Sequence, residues 1–217
     1  MQVDFVCIFL YNIKINNIIW ENKMEEIQEK KRDIRNETAN RLGAFSSTEL
    51  EQKTRTVEGR LFEFANFMEA RIALMYINHD NEVDTRGMLE RCFKYNKIIV
   101  LPVFDSKQNK VTMLKVDNLD TDLKSGSRGI LEPDPQQCKV VPIDSLDIAI
   151  IPGIAFDEKG GRIGSGDGYY DRMIPKLPVT TRKVALAFEC QIFPQIPMES
   201  HDRYVDIIIT EKRVIYK

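Results

Sequence analysis

The sequence predicts a single α/β domain built on a mainly parallel sheet flanked by helices. Three observations lead there. Short, nearly continuous apolar runs such as "ARIALMYI" and "LDIAIIPGIAF" suit strands buried on both faces. Segments with helical spacing or capping alternate with them, as in strands joined by crossover helices. A length of 217 residues is enough for one such domain with a sizeable core.

The elements follow in order. "EEIQEKKRDIRNETANRL", from Glu25 to Leu42, is polar with widely spaced Ile27, Ile34 and Leu42, and reads as a largely exposed helix stopped by Gly43. Ser46 and Glu49 have capping-box spacing at the start of a second helix. Leu50, Val57, Leu61 and Ala65 recur on its inner face. The run Ala70–Ile77 is the first strand, "TRGMLERCFKYN" a helix, "KIIVLPVF" the next strand and "KVTMLKV" a further strand, at an edge. Residues 117–140 are poor in apolar side chains and read as one long loop. "LDIAIIPGIAF" is the most apolar strand, "YYDRMIPKL" a short helix, and "KVALAFE" and "VDIIITE" two closing strands.

Residues 1–23 are apolar but interrupted by Asp4, Asn12, Lys14, Asn16 and Asn17. No run there reaches the roughly 18–20 apolar residues of a membrane span. A basic start and a small-residue cleavage site are also missing, which disfavours a secretory signal. The segment reads as a variable extension ahead of a start at Met24, with an added strand or a weak targeting segment as the alternative. Residues 24–217 then form the domain proper.

With 31 basic and 33 acidic residues the net charge is −2, which argues against a general nucleic-acid binder. Cys7, Cys92, Cys138 and Cys190 are widely spaced, with no C-x-x-C pair, so neither a zinc site nor a disulfide framework is expected. They read as reduced thiols in a cytoplasmic protein, a mitochondrial one being the alternative. The two histidines exclude a multi-histidine metal site. Nothing suggests an apolar partner face, and a monomer is expected.

The most informative stretch is "GGRIGSGDGYYDR", Gly160–Arg172, with five glycines in thirteen residues. Glycine lets a ligand approach bare backbone, and successive amides can cradle an anion. A helix just after the loop adds its positive end. The loop also follows the best buried strand, at the carboxyl edge where open parallel sheets bind ligands. Arg162 and Arg172 suit phosphate. The stretch therefore reads as a phosphate or nucleotide cradle, although the P-loop and dinucleotide fingerprints are both absent.

"IIPGIAFDEKGGRIGSGDGYYDR" resembles the signature of the 5-formyltetrahydrofolate cyclo-ligase (methenyltetrahydrofolate synthetase) family. "KRDIR", "NEVDT", "GILEP", "VALAFECQIFPQIP" and "HDRYVDIIITE" resemble further family segments in the same order, so the resemblance spans roughly residues 30–211. It implies a fold of the type shared with sugar-phosphate isomerases and CoA transferases. It also implies ATP-dependent cyclisation of 5-formyltetrahydrofolate, polyglutamylated or not, to 5,10-methenyltetrahydrofolate, with ADP and phosphate released. ATP is the implied co-substrate and Mg2+ the implied metal.

The resemblance assigns residues. Lys31 and Arg35, four apart on one helix face, would grip ATP phosphates. The loop Arg162, Ile163, Gly164, Ser165, Gly166, Asp167, Gly168, Tyr169 and Tyr170 would bind ATP, with Arg162 and Tyr169 catalytic. Ser165 to Tyr169 would also face the folate. Glu82 would recognise the pterin, and Ile77, Met113 and Arg128 would complete its slot. Asp171 and Asp206 would hold the metal. Ser165 and Asp167 depart from the common pattern, and a carboxylate at 167 facing ATP phosphates would be repulsive. Two alternatives stay open at this stage: a non-catalytic folate or nucleotide binder, and an isomerase- or CoA-transferase-like enzyme.

Overall fold

The computed structural model describes residues 5–105, 108, 110–126 and 129–217, with side chains from residue 23 onward. Cys7 and Arg128 lie outside the described side chains. The chain runs through α1 (Phe5–Gly43), α2 (Ser47–Glu63), α3 (Ala65–Glu69), β1 (Ile72–Leu74), α4 (Arg86–Lys94), β2 (Ile98–Asp105) and β3 (Lys110–Val116). Next come β4 (Leu123–Ser125), β5 (Leu131–Pro133), β6 (Lys139–Val140), β7 (Ile148–Ile150), β8 (Ala155–Asp157) and β9 (Arg162–Ile163). The last elements are α5 (Tyr169–Met173), β10 (Arg182–Leu186), β11 (Ile192–Phe193), β12 (Ile207–Ile209) and β13 (Val214–Tyr216).

The main sheet has the order β13-β12-β10-β7-β1-β2-β3-β6. Its five central strands are parallel, and β13, β3 and β6 add antiparallel edges. The apolar runs are continuous because both faces are covered. Ala73, Ile148, Ile150, Val184 and Leu186 face a core shared with α2 and α4. Their neighbours Leu74, Ala149, Ile151 and Ala185 face a second core closed by Met173, Ile174 and Leu177. Burying one such aliphatic side chain contributes about 1.5–3 kcal/mol.

The helical expectations hold, with local corrections. The capping box at α2 is present: Ser46 Oγ accepts the Glu49 N–H at 3.3 Å, and Glu49 Oε2 accepts the Ser46 N–H at 2.8 Å. The inner face of α2 ends earlier than its spacing suggests. At Phe64 the backbone turns extended (φ −75°, ψ 112°), α3 starts afresh, and Ala65 is exposed while Phe67 is buried. Helical backbone runs from Phe5 through Met24 without a break, so an added strand does not form there. No helix among the described residues is long and apolar enough to cross a membrane. Residues 117–140 are not one loop. They contain the β4–β5 hairpin, which pairs Leu123 with Pro133 and Ser125 with Leu131, and the edge strand β6.

From residue 23 to Gly43, α1 is mostly exposed, but Lys31, Thr38 and Leu42 are buried along one helical stripe. Leu42 joins the apolar core, whereas Lys31 is buried where the helix docks on loops. Arg35 Nε donates to the Gly164 carbonyl at 3.0 Å, and Arg41 Nη1 donates to the Cys190 carbonyl at 3.0 Å.

Candidate active site

After β7 the chain turns through Ile151–Ile154 into a small sheet of β11, β8 and β9. From β9 it enters the loop 164–168, which leads directly into α5. Close packing dictates the glycine at 164: a Cβ there would lie 2.8 Å from Arg162 Nη1. At Gly166 the backbone has φ 122°, which side-chain-bearing residues rarely adopt. The helix that follows has only five residues, so its positive end adds little and the loop amides and nearby cations dominate.

Arg162 is the fixed point of the site. Its side chain is 2% exposed, with Nη1 donating to the Pro152 carbonyl at 3.0 Å and Nη2 to Asp171 Oδ1 at 2.8 Å. Asp171 Oδ1 also accepts the Arg203 N–H at 2.9 Å. The buried Nε of Arg162 has no hydrogen-bond partner among the described residues. Arg162 lines a cavity beside the loop, and its fixed positive charge there suits an anion.

A cavity of about 100 Å³ lies between α1 and this loop. It is lined by Lys31, Arg35, the loop from Arg162 to Tyr170 except Asp167, and Asp171. Lys31 sits there as part of a buried cluster. Its ammonium lies 2.6 Å from both Glu199 Oε2 and Asp202 Oδ2. Gln28 Nε2 donates to the same Glu199 oxygen at 2.5 Å. Burial pulls the Arg35 pKa down while the Asp202 charge opposes that effect.

The sequence reading missed this acidic cluster. Ligand atoms of Glu199, His201 and Asp202 lie within 4.8 Å of one another, and Asp202 lines the cavity together with Asp171. Glu199 Oε1 is buried without a partner, so the donor set fits an oxygen-preferring cation. Asp206, the expected second metal carboxylate, lies elsewhere. It precedes β12 at the amino end of the parallel strands, where its carboxylate accepts the Lys183 N–H at 2.9 Å and pairs with the Lys183 ammonium at 3.0 Å. The available signal was "ESHD", three metal-type donors in four residues.

A second cavity of about 370 Å³ opens on the other side of the loop. Ile77, Pro102, Phe104, Ile130 and Pro152 give it flat apolar walls, and Glu82 supplies a carboxylate. Glu82 Oε2 accepts the His79 N–H at 2.9 Å. Burial pushes the Tyr76 phenol well up, and the Glu82 charge adds to that. The hairpin brings in Ile130–Pro133, as expected for "GILEP". Met113 does not join them: it is buried in the second core, paired across from Pro102, and Phe104 lines the cavity instead. Tyr169 stacks on Phe104 with centroids 4.6 Å apart, and Tyr170 meets the same ring edge-on at 5.5 Å. Asp167 lines this second cavity rather than the cationic one, and Ser165 and Tyr170 line both.

Fold and site together define an α/β protein in which a glycine-lined cationic cavity adjoins a cavity with flat apolar walls. The model of the 5-formyltetrahydrofolate cyclo-ligase family matches residues 27–211, and the chain belongs to that family. The 5-formyltetrahydrofolate cyclo-ligase of Mus musculus is 29% identical over 189 residues, covering 83% of this chain and 93% of the mouse protein. The Haemophilus influenzae cyclo-ligase is 28% identical over 175 residues, covering 80% of this chain and 94% of its own. The solution structure of Aquifex aeolicus 5,10-methenyltetrahydrofolate synthetase superimposes with a TM-score of 0.74 at 29% identity. That match covers 86% of this chain and 92% of the Aquifex protein.

Proposed function

We propose that this protein uses ATP to close 5-formyltetrahydrofolate into 5,10-methenyltetrahydrofolate, releasing ADP and phosphate. One observation carries the reading: a cationic cavity and a flat-ring cavity share Ser165 and Tyr170 as a common wall. A phosphoryl group held on one side of that wall is next to a ring held on the other.

The chemistry requires such an arrangement. A formamide oxygen is a poor leaving group, so the γ-phosphoryl is transferred to it and the carbon becomes electrophilic. N10 of the folate attacks that carbon, forming the second C–N bond. The C–O bond then breaks, phosphate leaves, and N10 loses its proton. Arg35, Arg162 and the loop amides hold the polyphosphate and stabilise charge on the transferred group. Asp171 and Asp202, with Glu199 beside them, would hold Mg2+, which would supply positive charge to offset that of the phosphates. Glu82 accepts N–H bonds from the amino-pyrimidine edge, and Phe104 and Ile77 confine the ring. Lys31 orders the carboxylates by its two ion pairs.

The test is an absorbance assay for the methenyl product from 5-formyltetrahydrofolate and Mg2+, with and without ATP. Product that appears only with ATP is expected. Product formed without ATP, or none despite binding of both substrates, would overturn the reading.

A further inference from the structure

Gln191 has no part in the chemistry above, yet it is fully buried and makes three hydrogen bonds, one within its own turn and two to separate segments. Its Oε1 accepts the Phe188 N–H at 2.7 Å. Its Nε2 donates to the Asn81 carbonyl at 2.8 Å and to the Ile154 carbonyl at 2.8 Å. The amide can sit only one way round, because a flip would set its oxygen against two carbonyls and its NH2 against an N–H.

The two carbonyls belong to the two halves of the site. Asn81 is the tip of the turn that carries Glu82, and its backbone is left-handed at φ 64°. Other bonds shape that turn from within: Thr85 Oγ1 donates to the Tyr76 carbonyl at 2.6 Å, and Tyr76 Oη to the Val83 carbonyl at 3.2 Å. The Gln191 bond instead ties its tip to a different element. Ile154, the second acceptor, leads into β8, and its N–H donates to the Ile163 carbonyl at 2.7 Å. Ile163 follows Arg162 and starts the glycine loop. One amide therefore spans from the turn bearing the pterin carboxylate to the ribbon bearing the phosphate cradle.

We propose that Gln191 is a positioning residue, whose side-chain amide fixes the Glu82 turn against the glycine loop and so sets the formyl oxygen against the transferred phosphoryl. The inference rests on the proposed cyclo-ligase reading. Near-attack geometry is sensitive at the level of about 1 Å, for which losses of about 100-fold are known.

Two variants test it. Gln191→Met keeps the volume and removes both donors. Gln191→Glu keeps the acceptor for the Phe188 N–H and sets a carboxylate against two carbonyls. We expect Gln191→Met to lower kcat by about 10-fold or more and to raise the KM for 5-formyltetrahydrofolate, with the KM for ATP within about twofold. Amides of residues 78–84 should exchange hydrogen faster, while those of β1 and β7 stay as in the native chain. Gln191→Glu should recover kcat as pH falls, because the protonated acid regains one donor, and the native enzyme should not follow that profile. A lowered melting temperature with kcat and both KM values unchanged would make Gln191 merely structural and overturn the proposal. Unaltered exchange in 78–84 would overturn the tether itself. If the native chain makes no methenyl product, the cyclo-ligase reading fails on its own, and exchange in 78–84 still decides the tether.

Discussion

The cavity beneath α1 and the cavity beside the 78–84 turn press on opposite sides of one loop, yet different forces hold them. The first is a network of buried charge. Lys31 pairs with Glu199 and Asp202, and Arg162 with Asp171, at 2.6–2.8 Å, and the helix and the closing segment that meet at Lys31 lie more than 160 residues apart in sequence. The second has largely apolar walls, the carboxylates of Glu82, Glu132 and Asp167 among its lining residues, no lining lysine or arginine, and a turn fastened by neutral hydrogen bonds. Polyphosphate carries several negative charges and a pterin carries none, so the contrast matches the two ligands proposed. It also implies that damage to each cavity is read out differently: in turnover and stability for the first, in folate affinity for the second.

The largest expected effect falls on the charged side. Arg162→Lys keeps the charge but loses the planar fork that reaches both Pro152 and Asp171. Turnover should fall by about 10²–10³-fold, as when one transition-state donor is removed. Steady-state rates with circular dichroism as the folding control measure this, and a variant with native kcat would remove Arg162 from the mechanism.

Lys31→Met comes next and acts on the fold. It strands Glu199 and Asp202, whose side chains are 2% and 9% exposed, without their ammonium partner. Breaking a buried ion pair from one side costs about 3–5 kcal/mol. Urea denaturation should show a loss of that order, and a loss below about 1 kcal/mol, the range of exposed pairs, would mean the cluster is effectively solvated.

On the other side of the loop, Glu82→Gln should leave the His79 N–H an acceptor while removing the charge offered to the pterin. The KM for 5-formyltetrahydrofolate should rise by about tenfold, the size of a charge-assisted hydrogen bond, with the KM for ATP unchanged. Equal changes in both values would show that the two cavities do not divide the ligands in this way.

These sites differ in how far the sequence exposes them. The loop was legible because its chemistry is local: glycine spacing, arginine and Tyr-Tyr-Asp all lie within thirteen residues. The core strands were legible because both faces are buried, which leaves a continuous apolar run. What depends on tertiary register was not. Asp202 and Asp206 are acids four residues apart, and only the docking of α1 decides that Asp202 meets Lys31 while Asp206 caps a strand start beside Lys183. Met113, opposite Pro102, shares a sheet face with Phe104, so their different positions along the paired strands, which no local pattern reveals, decide which of them reaches the cavity. The end of α2 was hidden because helical spacing continues through Ala65, although the chain breaks at Phe64 so that Phe67 can be buried.

The smallest effect is the sharpest test of the shared wall. From composition alone, an acid at 167 inside an ATP loop looks harmful. In the structure Asp167 lines the ring cavity, and its carbonyl accepts Arg172 Nη1 at 3.0 Å, an arginine whose guanidinium lies 5.1 Å from the Tyr169 ring centroid. Asp167 therefore belongs to the ring side of the loop, while Ser165 and Gly166 line the cationic cavity. Asp167→Gly should leave the KM for ATP within about twofold and shift the KM for the folate by more than that. A fall in the KM for ATP of about tenfold or more would mean that the carboxylate repels the polyphosphate after all, through a field that crosses the wall and weakens the division of labour between the two cavities.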